Sequence, residues 1–193
     1  MNLSEIAAEK IRLRDEIKNR IRALSPEYLA ESDLAIFQSL LSLPEFISAP
    51  RVFAYFSIGH EVDTRRLIQY CEKIGKPLAL PVDLTELSMS FALIDCPLEN
   101  LPRGLFNIPE PRAGALRASP NADDIILVPA LCYDSRGYRL GRGGGYYDRF
   151  LAGCPAFSLG LCREALLVPK VPTEDFDLSV NCLISDKRIA RPN

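Results

Sequence analysis

The sequence predicts an α/β fold in which the central sheet is mainly parallel. Short apolar runs alternate with segments of helical periodicity, an order typical of strands joined by crossover helices. One run, Ile125–Ala130, is continuously apolar, as expected for a central strand buried on both faces. The chain has 193 residues, 48% of them hydrophobic, which is enough to bury one core. We therefore expect a single domain over residues 1–193.

The N-terminal part of the chain is predicted to form a pair of helices. Apolar residues recur every three or four positions in the first helix, which should run from about Ser4 to Leu24. Ser25 followed by Pro26 is typical of a helix start and predicts a second helix that ends near Leu43. This helical pair precedes the first predicted strand of the sheet.

Strand and helix signals alternate after residue 50. Asp63 or Thr64 provides an N-cap for a helix that should end just before Gly75. The five prolines and weak periodicity of residues 97–124 indicate a long loop over one face, and a short helix is expected over residues 146–152. The predicted strands are Arg51–Ser57, Pro77–Val82, Met89–Ile94, Ile125–Ala130, Ala156–Cys162 and Val180–Ser185. These elements predict a Rossmann-like three-layer fold with a mainly parallel central sheet.

Composition and charge exclude several functional classes. The formal net charge of −2 argues against non-specific binding of nucleic acid, and no apolar run is long enough to span a bilayer. The N-terminal segment is charged and amphipathic and has no signal-peptide core, so we expect a cytoplasmic protein with reduced thiols. The six cysteines form no C-x-x-C pair, so neither a zinc site nor a redox dithiol is indicated. We expect a monomer that acts on small molecules.

The strongest chemical signal is a glycine-rich segment within Val128–Phe150. Five of the chain's eleven glycines lie between Gly137 and Gly145, interleaved with Arg136, Arg139 and Arg142. Backbone amides in such a loop form an anion-binding concavity, and guanidinium groups match phosphate oxygens. The order is neither that of a P-loop nor that of a dinucleotide fingerprint. The segment predicts a polyphosphate cradle, with a glycine-rich turn and solvated arginines as the alternative.

Three further positions carry candidate chemistry, each with a plainer alternative. Lys10 and Arg14 are four residues apart, so on a helix both can meet one phosphate chain, although a solvated basic face has the same spacing. Glu61 follows a strand and precedes a helix, where a ligand of an α/β fold is bound, or where a carboxylate favours a helix start. Tyr55 can line the same site or simply be buried in the core.

One signature segment and four shorter motifs, in family order along the chain, resemble those of the 5-formyltetrahydrofolate cyclo-ligase family. RLGRGGGYYDRFL, preceded by VPALCYDSRG, closely resembles the signature of that family. KIRLR resembles its K-x-x-L-R element, YFSIGHEVDT its Y-x-S-x-x-x-E element, and NIPEP a third short motif. Residues 172–177 form a weaker fourth match. The matches span nearly the whole chain.

This resemblance implies ATP-dependent conversion of 5-formyltetrahydrofolate to 5,10-methenyltetrahydrofolate, with ATP and Mg²⁺ as cofactors. It implies that Arg142 and Lys10 stabilise the transferred phosphoryl group and that Tyr55, Glu61, Tyr146 and Tyr147 bind the folate. The implied ATP-binding residues are Lys10, Arg14, Arg139, Leu140, Gly141, Arg142, Gly143, Gly144, Gly145, Tyr146 and Tyr147.

Two aspartates are candidate magnesium ligands, because nucleotide-bound magnesium prefers a few hard oxygen ligands supplemented by phosphate. Asp148 directly follows the loop and alternatively caps the short helix or pairs with Arg149. Asp177 follows Phe176, where many members of the resembled family carry histidine or another polar residue. Gly144 is a second departure, since lysine occupies that place in some members.

Other functional classes remain open at the level of the sequence. A catalytically silent member of the same family would bind nucleotide or folate without turnover. An RNA-binding protein would use the arginine-glycine loop and the basic first helix. Another α/β enzyme, acting on a phosphorylated sugar or a CoA ester, would need no ATP.

Overall fold

The computed structural model describes residues 3–82, 88–104 and 107–192. Within these ranges, three α-helices precede the first strand, and two more lie between strands. The helices are α1 (Leu3–Arg22), α2 (Pro26–Leu41), α3 (Pro44–Ser48), α4 (Arg65–Ile74) and α5 (Tyr146–Leu151). The strands are β1 (Val52–Phe53), β2 (Leu78–Val82), β3 (Ser90–Leu93), β4 (Arg117–Ala118), β5 (Ile125–Val128), β6 (Cys132–Tyr133), β7 (Arg139–Leu140), β8 (Phe157–Leu161), β9 (Cys182–Ile184) and β10 (Ile189–Ala190).

Eight strands form one sheet in the order β10-β9-β8-β5-β1-β2-β3-β4. The pairs β9-β8, β8-β5, β5-β1 and β1-β2 are parallel, and the outer pairs β10-β9, β2-β3 and β3-β4 are antiparallel. In the parallel part of the sheet, Val52 of β1 pairs with Leu78 of β2 on one side and with Ile125 of β5 on the other. The predicted α/β fold with a mainly parallel sheet is confirmed.

Strand β5 separates the layers of the fold, and all four of its residues are fully buried. Ile125 and Leu127 face a core formed with α2, α3 and α4. Ile126 and Val128 face two further clusters, one with residues of α5 and one with α1 and the β6–β7 hairpin. Because successive side chains of a strand point to opposite faces, one continuous apolar run contributes to the core on both faces of the sheet. The three layers are therefore helices, sheet, and helices with the hairpin.

Helix boundaries follow the capping signals closely. The Ser25 hydroxyl accepts a hydrogen bond from the Tyr28 amide at 3.1 Å, and α2 begins with Pro26, as predicted. Helix α4 ends before Gly75. At its start the Asp63 carboxylate accepts the Arg65 amide at 3.0 Å, whereas the Thr64 hydroxyl donates to the Tyr55 carbonyl at 2.7 Å. Of the two candidate caps, Asp63 is therefore the one that binds a helix amide.

Several predicted boundaries were wrong, mostly where sheet pairing decides the strand. The predicted strand Arg51–Ser57 is reduced to Val52–Phe53, and the last backbone bond of this segment to β2 is from the Ala54 amide to the Ala79 carbonyl at 3.0 Å. The second helix ends at Leu41 and is followed by a separate short helix, α3. Residues 97–124 contain a 3₁₀ turn and the edge strand β4, and β10 was not predicted. Pairing partners far away in the chain define such short strands.

The glycine loop does not follow β5 directly, because a β-hairpin lies between them. Strands β6 and β7 pair as Cys132↔Leu140 and Tyr133↔Arg139. The Tyr133 hydroxyl donates to the Val128 carbonyl at 2.6 Å, which ties the hairpin to the end of β5. Its ring lies so close to β8 that a Cβ added at Gly160 would be 2.6 Å from the ring. This glycine therefore allows the close approach.

Arg136, which the sequence groups with the loop cations, belongs to the hairpin and not to the loop. Its guanidinium donates to the buried Asp134 carboxylate at 2.7 Å and to the Val171 carbonyl at 3.0 Å. The same carboxylate accepts the Arg136, Tyr138 and Val171 amides. The cradle predicted from three arginines therefore draws on Arg139 and Arg142.

All six cysteines lie in the described part of the chain and are free, four of them buried. Burial raises the pKa of the Cys71 and Cys132 thiols to about 12, so both are protonated at neutral pH. Within residues 3–82, 88–104 and 107–192, none of the helices has the length and apolar character needed to cross a bilayer.

Candidate active site

The candidate site lies where the connections after β1 and β5 diverge. In the sheet, β1 and β5 are neighbours. The connection after β1 leads to β2 on one side, and the connection after β5 leads to β8 on the opposite side, so the crossover direction reverses between β1 and β5. Ligands of open α/β sheets bind in the crevice at such a point. Glu61 comes from the segment after β1, and Gly141–Gly145 comes from the hairpin after β5. Both line one cleft with a volume of about 460 Å³.

This cleft, called the main cleft below, gathers almost every residue that the sequence analysis selected. Helix α1 forms one wall and the glycine loop forms another. The residues that line it are Ala7, Lys10, Ile11, Arg14, Glu61, Pro129, Ala130, Arg139, Leu140, Gly141, Arg142, Gly143, Gly144, Gly145, Tyr146, Tyr147, Asp148, Glu174, Phe176 and Asp177.

Helix α1 contributes one face to the main cleft. Ala7, Lys10, Ile11 and Arg14 follow the spacing i, i+3, i+4 and i+7, which places them on one side of a helix. The Arg14 Nε donates to the Gly141 carbonyl at 3.0 Å, so the helix is attached to the glycine loop. Lys10 and Arg14 therefore line the cleft instead of a fully solvated face, and their binding of a phosphate chain stays a prediction.

Lys10 lies further along the same face, among carboxylates from the C-terminal part of the chain. Its Nζ is 2.6 Å from an Asp177 oxygen and 3.6 Å from a Glu174 oxygen. All three side chains are only 13–14% exposed. Two carboxylates from the C-terminal part of the chain therefore surround the Lys10 ammonium group.

Gly143 lets the loop turn beside Arg14. It has φ 108°, a conformation that residues with a Cβ rarely adopt, and a Cβ added there would lie 3.7 Å from the Arg14 guanidinium. Gly141, by contrast, has neither a positive φ nor an atom within 4 Å of an added Cβ. The backbone conformation at Gly143 thus favours glycine, whereas the space beside Arg14 would admit a Cβ.

Arg142 crosses the cleft from the loop to Glu61. Its Nη2 and Nε donate to one Glu61 oxygen at 2.9 and 3.2 Å, and the other oxygen accepts the Ile58 amide at 3.0 Å. The Arg142 side chain is 57% exposed, while that of Glu61 is 11% exposed. The carboxylate is therefore fixed by the protein backbone, and the arginine is free to change partners.

Arg163 holds the backbone beneath Glu61. It is 2% exposed and donates to the Ser32 hydroxyl, the Asp33 carboxylate and the His60 carbonyl at 3.0, 2.6 and 2.7 Å. Burial raises the pKa of Asp33, an effect that exceeds the opposite influence of Arg163. No sequence signal marked Arg163, because its partners come from α2 and from the segment after β1.

Asp148, the first predicted magnesium ligand, is bound to Arg139. Its Oδ1 accepts from Arg139 Nη2 at 2.6 Å, and Arg139 Nη1 donates to the Leu178 carbonyl at 2.8 Å. The alternative pairing of Asp148 with Arg149 is not observed. The described residues include no group of three or more histidine, cysteine or acidic side chains placed to hold a metal ion. Asp148 and Asp177 do face the same cleft.

The hydroxyl of Tyr147 is buried in the main cleft without a hydrogen-bond partner. It is the one such side-chain atom in the part of the chain that the structure describes. Burial, together with the nearby negative charge of Glu61, raises the pKa of Tyr147. The hydroxyl therefore stays protonated and has a donor to offer to a bound molecule, since a buried polar group without a partner is costly.

One predicted residue lies elsewhere than expected. Tyr55 does not line the cleft; it is 5% exposed within the core, and its hydroxyl is 3.5 Å from the Val62 carbonyl. Leu140 lines the cleft but is only 1% exposed, because its side chain packs in the core. Glu174 and Phe176 were missed as lining residues, although both lie within the weak fourth motif. Ile11 was missed as well, although the spacing that selected Lys10 and Arg14 also includes it.

A second cleft of about 430 Å³ adjoins the main cleft. The two share Arg14, Glu61, Ala130 and Arg142. Lys18, Ile21 and Arg22 of α1 continue the wall of the second cleft past Arg14. The Arg142–Glu61 ion pair therefore lies where the two clefts meet.

Comparison with known proteins identifies the family of this chain. Residues 6–186 match the model of the 5-formyltetrahydrofolate cyclo-ligase family. The chain belongs to this family. The mouse 5-formyltetrahydrofolate cyclo-ligase is 30% identical over 186 residues, which cover 88% of this chain and 89% of the mouse protein. The cyclo-ligase of Escherichia coli strain K12 is 28% identical and is covered to 98%.

Two solved structures of cyclo-ligase relatives have the same fold. The Aquifex aeolicus 5,10-methenyltetrahydrofolate synthetase has a TM-score of 0.81 with 32% identity, over 94% of this chain and 92% of that one. The Mycoplasma pneumoniae synthetase has a TM-score of 0.71 with 21% identity, which shows the fold alone. The resemblance found from the motifs is thus confirmed for family, fold and enzyme class.

Proposed function

We propose that this protein closes 5-formyltetrahydrofolate to 5,10-methenyltetrahydrofolate and converts ATP to ADP and phosphate in the same reaction. The observation that carries the proposal is the meeting of three distant segments in the main cleft. Lys10 and Arg14 of α1, the glycine loop with Arg142, and Glu61 all line it. Three cations beside a loop of backbone amides form a site for a polyphosphate. The acidic Glu61 faces them and suits a polar, nitrogen-rich ring.

The chemistry explains why the site needs cations and no protein nucleophile. The formyl oxygen attacks the γ-phosphorus, and the bond to ADP breaks. N10 of the folate then attacks the formyl carbon and loses its proton, and the bond between that carbon and the phosphate oxygen breaks as phosphate departs. Phosphoryl transfer requires mainly positioning and neutralisation of charge, which guanidinium, ammonium and backbone amide groups supply.

In this proposal Arg142 and Lys10 stabilise the transferred phosphoryl group. Arg14 holds the phosphate chain against the loop, together with Arg139 and residues 140–147. Phosphate oxygens would then exchange with the Glu61 carboxylate as partners of Arg142, since that arginine is 57% exposed. Release from Arg142 leaves the Glu61 carboxylate to accept hydrogen bonds from the folate.

Glu61, Tyr146 and Tyr147 are proposed to bind the folate. Glu61 is positioned by the Ile58 amide and by Arg163, so it can recognise N–H groups without first becoming ordered. The unpartnered Tyr147 hydroxyl is a donor for the formyl or phosphate oxygen. The predicted role of Tyr55 in substrate binding stays a prediction, and its core position favours support of the segment that carries Glu61.

We propose that Asp148 and Asp177 would hold the magnesium ion that accompanies ATP. Both carboxylates face the main cleft, and a nucleotide-bound magnesium needs only one or two of them in addition to phosphate oxygens. The donor set therefore fits the ion. The ion, when bound, neutralises charge on the phosphates. Arg139 and Lys10, which pair with these aspartates, orient them towards the cleft.

A product assay tests the proposal. Purified protein should form the methenyl product, seen by its near-ultraviolet absorbance, only when ATP, magnesium and 5-formyltetrahydrofolate are all present. Lys10→Ala and Arg142→Ala should raise the KM for ATP strongly. Binding of both substrates without any product would favour the catalytically silent member instead, and turnover without ATP would contradict the assignment.

We also propose that residues 1–193 act as one domain, as a cytoplasmic monomer without nucleic-acid or membrane partners. The shared sheet supports the first point, because β1 near the start and β9 near the end belong to it. Sedimentation at micromolar concentration tests the second, and a dimer would contradict it.

A further inference from the structure

We propose that Ser57 and Thr64 are positioning residues for the reaction, because together they fix the loop that presents Glu61 to the folate. The inference rests on the proposed function, since it takes Glu61 as the carboxylate that binds this substrate. It assigns a role to two hydroxyl groups that the chemistry described above does not use. The segment that they close, residues 57–64, is called the Glu61 loop below.

Reciprocal hydrogen bonds between Ser57 and Thr64 hold the two ends of the Glu61 loop together. The Ser57 amide donates to the Thr64 hydroxyl at 3.0 Å, and the Thr64 amide donates to the Ser57 hydroxyl at 3.2 Å. In addition, the Thr64 hydroxyl donates to the Tyr55 carbonyl at 2.7 Å, and the Ser57 hydroxyl donates to the Asp63 carboxylate at 3.2 Å. Each hydroxyl therefore acts as donor and acceptor at once.

Burial makes the loop dependent on these two hydroxyls. Ser57 is 8% exposed and Thr64 is 1% exposed. A buried amide that loses its partner is costly, because water does not fully replace the lost hydrogen bond. Removal of either hydroxyl should therefore displace the backbone at the ends of the loop until the freed amide finds a new partner.

Thr64 also lies at the start of α4, but its hydroxyl does not cap that helix. A threonine at an N-cap ordinarily accepts a hydrogen bond from an amide in the first helical turn. Thr64 makes no such bond, and the Asp63 carboxylate accepts the Arg65 amide instead. The Thr64 hydroxyl thus serves the Glu61 loop, which precedes the helix.

The Glu61 carboxylate is attached to the residue next to Ser57. The loop turns at Gly59, which has φ 61°, and the Glu61 amide donates to the Ile58 carbonyl at 3.3 Å. One Glu61 carboxylate oxygen accepts the Ile58 amide at 3.0 Å. A shift of Ser57 therefore moves Ile58 and, with it, the carboxylate. In this way two hydroxyls that do not line either cleft control a group that does.

The first test removes the Ser57 hydroxyl. Ser57→Ala should raise the KM for 5-formyltetrahydrofolate roughly 10- to 100-fold, as for a misplaced binding group, and leave the KM for ATP unchanged. Both constants are measured with the product-absorbance assay at a temperature where the variant is folded. A purely structural serine would lower stability without separating the two constants.

Ser158→Ala is the matched control. Ser158 is 6% exposed, and its hydroxyl accepts the Asn181 amide at 3.0 Å and donates to the Asn181 side-chain oxygen at 2.8 Å. Ser57 and Ser158 thus lose the same kinds of hydrogen bond, but Ser158 lies in β8 and is not among the residues that line the clefts. Ser158→Ala should lower stability and leave both KM values unchanged.

The second test separates the Thr64 hydroxyl from the shape of the side chain. Thr64→Val keeps the branched shape and removes both hydrogen bonds of the hydroxyl, so it should raise the KM for folate as Ser57→Ala does. Thr64→Ser keeps the hydroxyl and should retain the wild-type KM.

Hydrogen exchange gives a readout that needs no ligand. The Ile58 amide is bound by the Glu61 carboxylate, so its exchange reports whether the carboxylate is held in place. Exchange at Ile58 should be faster in Ser57→Ala and Thr64→Val than in the wild type, and unchanged in Ser158→Ala.

Three outcomes would overturn the inference. They are an unchanged KM for folate in Ser57→Ala, an equal rise of the KM values for folate and ATP, and the same loss in Thr64→Ser as in Thr64→Val. If the wild-type protein neither binds nor converts the folate, the proposed function itself fails. Exchange at Ile58 would then still decide whether the two hydroxyls fix Glu61, so the two failures are distinguished.

Discussion

Arg142 and Arg163 contact the same short segment after β1, yet their surroundings differ. Arg163 is 2% exposed and donates to Ser32, Asp33 and the His60 carbonyl. Arg142 is 57% exposed and, among the described residues, donates to the Glu61 carboxylate. A buried arginine with several fixed partners orders the backbone, whereas an exposed one with a single partner can exchange it for a ligand. The comparison shows that the burial and the partners of an arginine, and not its residue type, separate a structural role from a chemical one.

The largest expected effect is on stability, through Arg163. Arg163→Met leaves the Asp33 carboxylate without its cation and should lower the free energy of unfolding by about 3–5 kcal/mol. The loss should diminish in acid, because a protonated Asp33 needs no cation, and burial already raises its pKa. Urea denaturation at several pH values measures both effects.

The control for Arg163 is an arginine at the surface. Arg188 forms an ion pair with Glu164 at 2.8 Å but is 60% exposed. Arg188→Met should cost less than about 1 kcal/mol, as exposed pairs do. Equal losses in the two variants would remove the distinction between buried and exposed arginines.

The next largest effect should appear in catalysis, through Arg142. Arg142→Ala should lower kcat/KM roughly 100-fold or more, as for the loss of a group that stabilises transition-state charge, while the unfolding free energy stays nearly constant. Arg65→Ala is the matched control, because Arg65 is 58% exposed and pairs with Asp63 close to the same segment. Comparable activity of the two variants would show that Arg142 is only a surface group.

A smaller effect is expected from the loop backbone. Gly143→Ala places a Cβ at φ 108° and should cost roughly 1–3 kcal/mol, seen as weaker ATP binding, lower stability, or both. Gly141→Ala, where nothing lies within 4 Å of the added Cβ, should be nearly neutral. Calorimetric titration with ATP and urea denaturation test both variants, and identical behaviour would mean that the loop conformation is not required.

The smallest effect concerns Asp63, beside the control arginine. Burial alone would raise the pKa of Asp63, but hydrogen bonds from Arg65 and Ser57 outweigh it and lower the pKa below the ordinary value of 3.8. Because the pKa of Asp63 is lower in the folded state, its carboxylate stabilises the fold at pH values above 3.8. This contribution to the free energy of unfolding is lost as the pH falls through the folded-state pKa. Asp63→Asn should therefore lose less than about 1 kcal/mol at neutral pH, and nothing relative to the wild type in strong acid. A difference in unfolding free energy between the wild type and Asp63→Asn that stays constant from neutral pH to strong acid would contradict this prediction.

Much of the fold could be predicted because its signals are local. The apolar run of β5, the Ser25-Pro26 helix start and the end of α4 before Gly75 each depend on neighbouring residues. The two-residue strands β1, β4 and β10 could not be bounded, because pairing with distant strands defines them. The hairpin before the loop was missed for the same reason.

The candidate site was predicted as a set of residues but not as an arrangement. The motifs selected Lys10, Arg14, Glu61 and the loop, and the fold brings them into one cleft. Arg136 and Tyr55 carry the same chemical groups as true lining residues, yet one is bound to Asp134 and the other lies in the core. Which arginine or tyrosine faces a ligand depends on contacts between distant segments.

The sequence by itself determined the fold class, the family and the composition of a phosphate-binding loop. These depend on helix and strand periodicity and on short motifs, which are local properties of the sequence. Only the tertiary structure decided that Arg142 bonds to Glu61, that Arg163 supports the segment beneath, and that Phe176 lies beside Lys10. Side-chain partners, burial and exposure arise when segments more than 80 residues apart meet, as Arg142 and Glu61 do.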